Sequence, residues 1–370
     1  MRGINEPQGL MFHCFSLDSR VPQDHPLRIV KDHTDVILKD LSEVFEQMYS
    51  TTGRPSVPPE RLLKAQLLIA LFSIRSDRLF CEMLDYNILF RWFLDMNLEE
   101  ASWDASTFTK NRDRLLEHDV ARQFFEAVVR VAEAEKLLSD EHFTVDGTLI
   151  EAWASMKSFR PKDEDPTNRP QTDDDRSNPS VDFHGERRCN ETHRSTTDSE
   201  ALLMKKGKGK EAKLCFGAHA LMENRNGILV DFIVTQATGD GERTAVPIML
   251  DRQKLKGLRP KTIGADKGYD TRDFIKELRE RKITPHVAMN DKRRGGSAID
   301  GRTSRHEGYT ISQRLRKKVE EIFGWMKVVG GFRRTRFKGV ERTELQGLFV
   351  GAAYNLVRIS RLLTLQAATP

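Results

Sequence analysis

Residues Lys213–Thr238 read KLCFGAHALMENRNGILVDFIVTQAT. Two runs rich in apolar, aromatic and β-branched residues flank the polar turn Asn224–Gly227, which predicts two strands joined by a tight turn. Downstream, ERTAVPIMLDRQKLKG and TRDFIKELRERK carry helical spacing, and they alternate with the short strand-like segments KTIGADKGYD and ITPHVAM. Upstream, EHFTVDGTLIEAW supplies one more strand, with Phe143 and Val145 on it. The order is three strands, helix, strand, helix, strand, helix, which predicts a mixed sheet flanked by helices.

The region before this sheet reads as all helix, from about residue 25 to 138. PERLLKAQLLIALFSIRSDRLFCEML, entered through Pro58 and Pro59, repeats apolar residues every three to four positions. The chain therefore divides into a helical module over 1–138, suited to DNA binding or dimerisation, and an α/β domain over 139–370. The aromatic cluster Phe90, Trp92 and Phe93 is expected in the core of the helical part. A polar insertion interrupts the second domain at about 156–213. Its segment RPKDEDPTNRPQTDDDRSNPS holds too little apolar surface to offset the entropy of ordering, so it is expected to be mobile alone and to order on DNA.

Composition narrows the function classes. The apolar run LLIALF at 67–72 is far shorter than the roughly 20 residues of a membrane helix, and the N-terminus lacks a signal-peptide layout. A cytoplasmic protein without a membrane partner is expected. Four cysteines, none in a Cys-x-x-Cys pair, argue against a zinc site or disulfide framework. The net charge of +5 is mild, but residues 313–342 hold ten Lys or Arg against three Glu. That local excess is the footprint of a surface that meets phosphates.

Three carboxylates stand out. Asp146 lies in the first strand, before Gly147, and Asp266 ends the strand TIGAD. Either alone is ordinary turn chemistry. The third comes from RKKVEEIFGWMK, Arg316–Lys327. At 3.6 residues per turn Arg316, Glu320, Phe323 and Lys327 share one stripe, beside an apolar stripe of Val319, Ile322, Met326 and Val329. Glu321 points about 100° away, with Lys317 one turn back, as a surface ion pair would. If Asp146, Asp266 and Glu320 converge, their oxygen ligands select Mg²⁺ or Mn²⁺. Two such ions suit an in-line phosphoryl displacement, with basic side chains holding the phosphates.

FTVDGTLIEAWAS, ADKGYD and RKKVEEIFGWMKVVGGFRRTRFKG resemble the DDE transposases of bacterial insertion sequences, specifically the insertion-sequence-five branch of the insertion-sequence-four superfamily. GRPSVPPERLLKAQLL, WDASTFTKNRDRLL and STTDSEALLMKKGKGKEAKL resemble that branch's N-terminal domain and insert, so the likeness spans nearly the whole chain. It implies an RNase H-like domain that cleaves double-stranded DNA at terminal inverted repeats and joins the freed 3′-OH to target DNA. By motif the metal-binding acids are Asp146, Asp266 and Glu320, with two Mg²⁺ ions for which Mn²⁺ substitutes.

The signature Tyr-x₂-Arg-x₃-Glu-x₆-Lys is met by Arg316, Glu320 and Lys327, but Gln313 stands at the tyrosine position. Arg316 and Lys327 are expected to contact phosphates near the scissile bond. Lys317, Arg333, Arg334, Arg336 and Lys338 in the basic segment, with Trp153 and Lys157, are further candidate DNA contacts. A homodimer on DNA follows from the need to cut two ends together. The alternatives are an inactive or domesticated end-binding protein and a metal-dependent nuclease on the same fold.

Overall fold

The computed structural model describes residues 16–50, 52–53, 55–162, 182–183, 186–205, 207, 209–292 and 295–367. Eight helices come first: α1 (Leu17–Arg20), α2 (Leu27–Asp40), α3 (Ser42–Met48), α4 (Pro59–Leu71), α5 (Asp77–Tyr86), α6 (Ile88–Phe93), α7 (Ser106–Glu117) and α8 (Val120–Ala134). Pro59 opens α4 where a missing N–H costs nothing, and Ser76 caps α5 by accepting from Leu79 N. Phe90, Trp92 and Phe93 are core residues, as their spacing predicts.

The second part begins with β1 (His142–Glu151). The short strands β2 (Phe159–Pro161), β3 (Asp182–Phe183), β4 (Glu186–Arg187), β5 (His193–Ser195) and β6 (Leu202–Lys205) follow. Then come β7 (Ala212–Glu223), β8 (Ile228–Gln236), α9 (Gly241–Leu255), β9 (Thr262–Ala265), α10 (Arg272–Glu280) and β10 (Thr284–Val287). The chain ends with α11 (Gly301–Ser304), α12 (Glu307–Leu315), α13 (Lys318–Val328) and α14 (Val340–Ala367). β8, β7 and β1 pair antiparallel, and β1, β9 and β10 continue parallel, with β6 on the outer edge of β7. This is the expected RNase H-like mixed sheet flanked by helices.

The insertion 156–213 divides. Residues 163–181 lie outside the described residues, as do the N-terminal stretch 1–15 and Cys14. Both flanks carry structure. β2 pairs with β5, and β6, absent from the sequence reading, extends the main sheet beside β7. The STTDSE motif at 195–200 then clasps the start of α14: Asp198 Oδ2 accepts from Gly339 N at 3.1 Å and Glu200 Oε2 from Val340 N at 3.0 Å. Two carboxylates thus satisfy N–H groups at a helix entrance, where negative charge is favoured. Cys81, Cys189 and Cys215 are free thiols.

Helix α14 has the length and apolarity of a membrane span, yet most of it is buried against α2, α4, α7, α8, α13 and β8. Gly347 and Gly351, one turn apart, permit the close approach. A Cβ at Gly347 would sit 2.2 Å from Phe232 Cε1, and one at Gly351 would sit 2.9 Å from Leu229 Cδ2. A Gly347→Ala substitution gains about 1 kcal/mol of helix propensity but displaces a fully buried ring, an overpacking cost of about 1–3 kcal/mol. It is expected to lower stability, whereas Gly324→Ala at an exposed position of α13, where a Cβ meets nothing within 4 Å, should raise it. Urea denaturation of both variants checks the opposite signs.

A charged group is also buried where the layers meet. Asp231 of β8 is fully inaccessible and accepts from Arg122 Nη1 (α8) and Arg252 Nη1 (α9), each at 2.8 Å. It also accepts from Phe232 N at 2.7 Å and from Gln253 Nε2 at 3.1 Å. Glu344 of α14 takes the second Arg122 nitrogen at 2.7 Å.

His219 of β7 is also buried, with Nε2 2.9 Å from Thr235 Oγ1, and burial holds its pKa down from 6.5 to about 4. The fold keeps this imidazole neutral. As pH falls from 6.5 towards 4 the unfolded chain takes up a proton that the native state refuses. Stability is therefore lost across that window, by roughly 3 kcal/mol from this group. Denaturant midpoints at pH 7 and pH 4.5 check this, with His219→Gln expected to flatten the difference.

Candidate active site

Asp146 sits on the central strand and Asp266 immediately follows its parallel neighbour β9. The last paired residues are Thr144 and Gly264, so continuing the register by two residues sets Asp146 beside Asp266 on the same face. Asp266 Oδ1 accepts from Gly268 N at 2.7 Å, which turns the chain away from the sheet through Lys267–Tyr269. α13 lies over this face because Val319, Ile322 and Met326 are buried. Lys327, two turns beyond Glu320, donates to Thr148 Oγ1 and, at 3.0 Å, to Leu149 O of β1.

The two glutamates of the opening turn of α13 are both exposed but face different surroundings. Glu320 is among the charges that raise the Asp146 pKa, whereas Glu321 acts on the Tyr354 phenol of α14. Asp146 is pushed up to about 7, first by burial and then by the charges of Asp266, Glu242 and Glu320, against the opposing hydrogen bond from Gly147 N. Carboxylates crowded without a counter-charge behave in this way.

Two features differ from the sequence reading. Arg316 is not on the helix of Glu320: it closes α12, and α13 starts at Lys318. The joint is drawn tight by i to i+3 bonds from Val319 N to Arg316 O (3.3 Å) and from Glu320 N to Lys317 O (3.0 Å). Arg316 instead lies against β9, its Cβ 3.6 Å from where a Gly264 Cβ would be, and its buried Nε lacks a hydrogen-bond partner. Gln313, at the signature tyrosine position, donates through Nε2 to His286 O at the sheet's edge strand β10.

The second difference is Glu242, in the first turn of α9, which the sequence reading did not select. Its carboxyl is raised above the usual carboxylate range by desolvation and then by Asp266, although its side chain still reaches solvent. In the sequence it looks like any acid in the first turn of a helix, and only the sheet packing brings it here.

Part of the basic segment is tied to the far end of β1. Glu151 at the end of β1 exchanges backbone bonds with Arg333 O (3.1 Å) and Thr335 N (2.8 Å). The basic segment is therefore stitched to the strand about 16 Å from Asp146, at roughly 3.3 Å per residue. Arg334 stacks over the exposed Trp153 ring at 5.6 Å and donates to Ala152 O and Trp153 O at 2.9 and 2.6 Å. Lys157, Lys317, Arg333 and Lys338 are exposed. Arg336 is turned inward instead, donating to Ile74 O at 3.3 Å beside Phe337, and burial lowers its pKa.

The donor set near Asp146 is all carboxylate oxygen, which suits a hard divalent cation. Among the described residues no three His, Cys, Asp or Glu side chains are gathered tightly enough to hold an ion as they stand. Like charges without a counter-ion are expected to stand apart. Buried polar atoms without partners surround the cluster, namely Thr144 Oγ1, Tyr269 Oη and Arg316 Nε.

Comparison with known proteins gives two family matches: a transposase domain (DUF772) over residues 15–114 and a transposase DDE domain over residues 181–356. Asp266 and Glu320 fall inside the second, and Asp146 precedes it. Solved structures similar to this chain include a piggyBac transposase synaptic complex with hairpin DNA, at 12% identity and TM-score 0.40, covering 92% of this chain and 76% of that one. The Mos1 strand transfer complex matches at 9% identity and TM-score 0.20, covering 85% and 79%. A transposase domain is thus matched in the helical part and a transposase DDE domain over most of the sheet-containing part.

Proposed function

We propose that this transposase cuts double-stranded DNA at the terminal inverted repeats of a bacterial insertion sequence and transfers the freed 3′-OH ends to target DNA. What supports the reading is that Asp146 and Asp266 lie on neighbouring strands with their registers aligned, and that the charges of Asp266, Glu242 and Glu320 add to the burial that raises the Asp146 pKa. These three carboxylates would hold two Mg²⁺ ions, for which Mn²⁺ substitutes. Bound there, the ions would supply Lewis-acid stabilisation to the attacking and leaving oxygens. In the first step a water oxygen attacks the phosphorus and the 3′-oxygen leaves. In the second, that 3′-OH attacks a target phosphodiester, so one P–O bond forms as one breaks.

Arg316, with an unpartnered buried Nε–H, and Lys327, held over β1, are the groups that would grip phosphates beside the scissile bond. The exposed cations and Trp153 along the basic segment would carry the flanking duplex. Residues 1–138 are assigned to end recognition and to a homodimer formed on DNA, in the cytoplasm at the nucleoid. The branch is the insertion-sequence-five group, as its motifs suggest.

The test is a Mg²⁺-dependent assay on duplexes carrying the repeats that flank the gene. Nicking at the repeat, followed by joined strands, is the expected result. Hydrolysis without joining would make the protein a nuclease, and binding without cleavage would make it an end-binding protein.

A further inference from the structure

The face of β1 opposite α13 also delivers a carboxylate. Side chains alternate along a strand, so Asp146 and Thr148 point towards α13, whose Lys327 touches Thr148, while position 147 points the other way, towards α9. That position is glycine. A Cβ there would lie 2.7 Å from Glu242 Oε1, 2.8 Å from Cγ and 3.0 Å from Cδ. The missing side chain leaves room for the Glu242 carboxylate against β1, one residue from Asp146. Glu242 acts on Asp146 more strongly than Glu320 does, and Asp266 acts in turn on Glu242.

An independent observation points to a ligand here. Tyr269, three residues after Asp266, is 1% exposed, and its hydroxyl has no hydrogen-bond partner. The charges acting on that phenol are Glu242 first, then Asp146 and Asp266. A buried hydroxyl left unpaired is destabilising, and such a donor among carboxylates is satisfied once a group they hold, or a carboxylate drawn in by it, comes within reach.

We propose that Glu242 is a fourth cation-holding carboxylate of this site, admitted over Gly147 and oriented by Tyr269. The inference rests on the reading that Asp146 and Asp266 hold divalent cations. It extends that reading by drawing the ligands from both faces of the sheet.

The experiment is Mn²⁺ titration of the full-length, DNA-free protein by calorimetry, with melting temperatures measured with and without Mn²⁺. Glu242→Gln is expected to weaken Mn²⁺ binding about tenfold or more. It should also raise the melting temperature of the cation-free protein, because a repelling charge is gone. Gly147→Ala keeps every carboxylate but pushes Glu242 out, and should weaken Mn²⁺ binding similarly. Glu321→Gln should change neither quantity. If Glu242→Gln and Gly147→Ala bind Mn²⁺ as the wild type does while Asp146→Asn does not, the inference falls and the three-acid reading stands. If the wild type itself binds no Mn²⁺, both fall.

Discussion

Asp146→Asn, Asp266→Asn and Glu320→Gln are each expected to abolish strand cleavage while leaving binding to end-containing duplex intact. Cation-mediated stabilisation of a phosphoryl-transfer transition state contributes several kcal/mol. At about 1.4 kcal/mol per decade, its loss lowers the rate by roughly 10³-fold or more. Binding survives because the exposed cations around Trp153 and Arg333 lie at the far end of β1, tied to Glu151 rather than to the acids. Glu321→Gln should cleave within about twofold of wild type, since Glu321 faces Tyr354 and not Asp146. Nicking rates and gel-shift affinities on the same duplex check all four variants. Full cleavage by Glu320→Gln with loss in Glu321→Gln would overturn the assignment on α13.

Asp231→Ala is expected to be the most destabilising single substitution away from the acids. It strips a fully buried carboxylate from Arg122, Arg252, Gln253 and a backbone N–H at once. Breaking one side of a buried ion pair costs about 3–5 kcal/mol, because the remaining cation keeps its desolvation penalty and loses its partner. Glu344 still holds Arg122 at 2.7 Å, which places the expected loss nearer the lower figure. A denaturant midpoint measured at pH 7 reads it directly. Replacing Arg122 as well by an apolar residue should recover only part of the loss, because Arg252 and Gln253 have lost the same acceptor.

The sheet and two of its acids were legible because they rest on local rules. The apolar, aromatic and β-branched runs of β1, β7 and β8, the turn at Asn224–Gly227 and the strand-ending Asp266 are each written within a dozen residues. Glu320 separated from Glu321 by helical angle alone, and the split environments agree with that geometry. The break before Lys318 was hidden, because Arg316 and Lys317 keep helical backbone angles and no proline or glycine marks the joint. Glu242 was hidden for a different reason: its role depends on Gly147, almost a hundred residues earlier, leaving space on the far face of a strand. Asp231 interrupts an apolar run, and only three long-range partners explain why a charge is tolerated there.

Helix α14 has a consequence for how the protein is made. It supplies packing surface to α2, α4, α7 and α8 as well as to β8, yet it leaves the ribosome after all of them. The early helices therefore emerge with a side of their core still open, and they stay that way while some 200 further residues are translated. Their consolidation waits on a segment that cannot arrive until the acidic site has also been synthesised. A nascent chain halted before residue 340 would expose the face meant for α14 and become a substrate for chaperones and proteases. Synthesis thus yields either the assembled fold or a fragment open to clearance, with little opportunity for a stable helical half to persist alone.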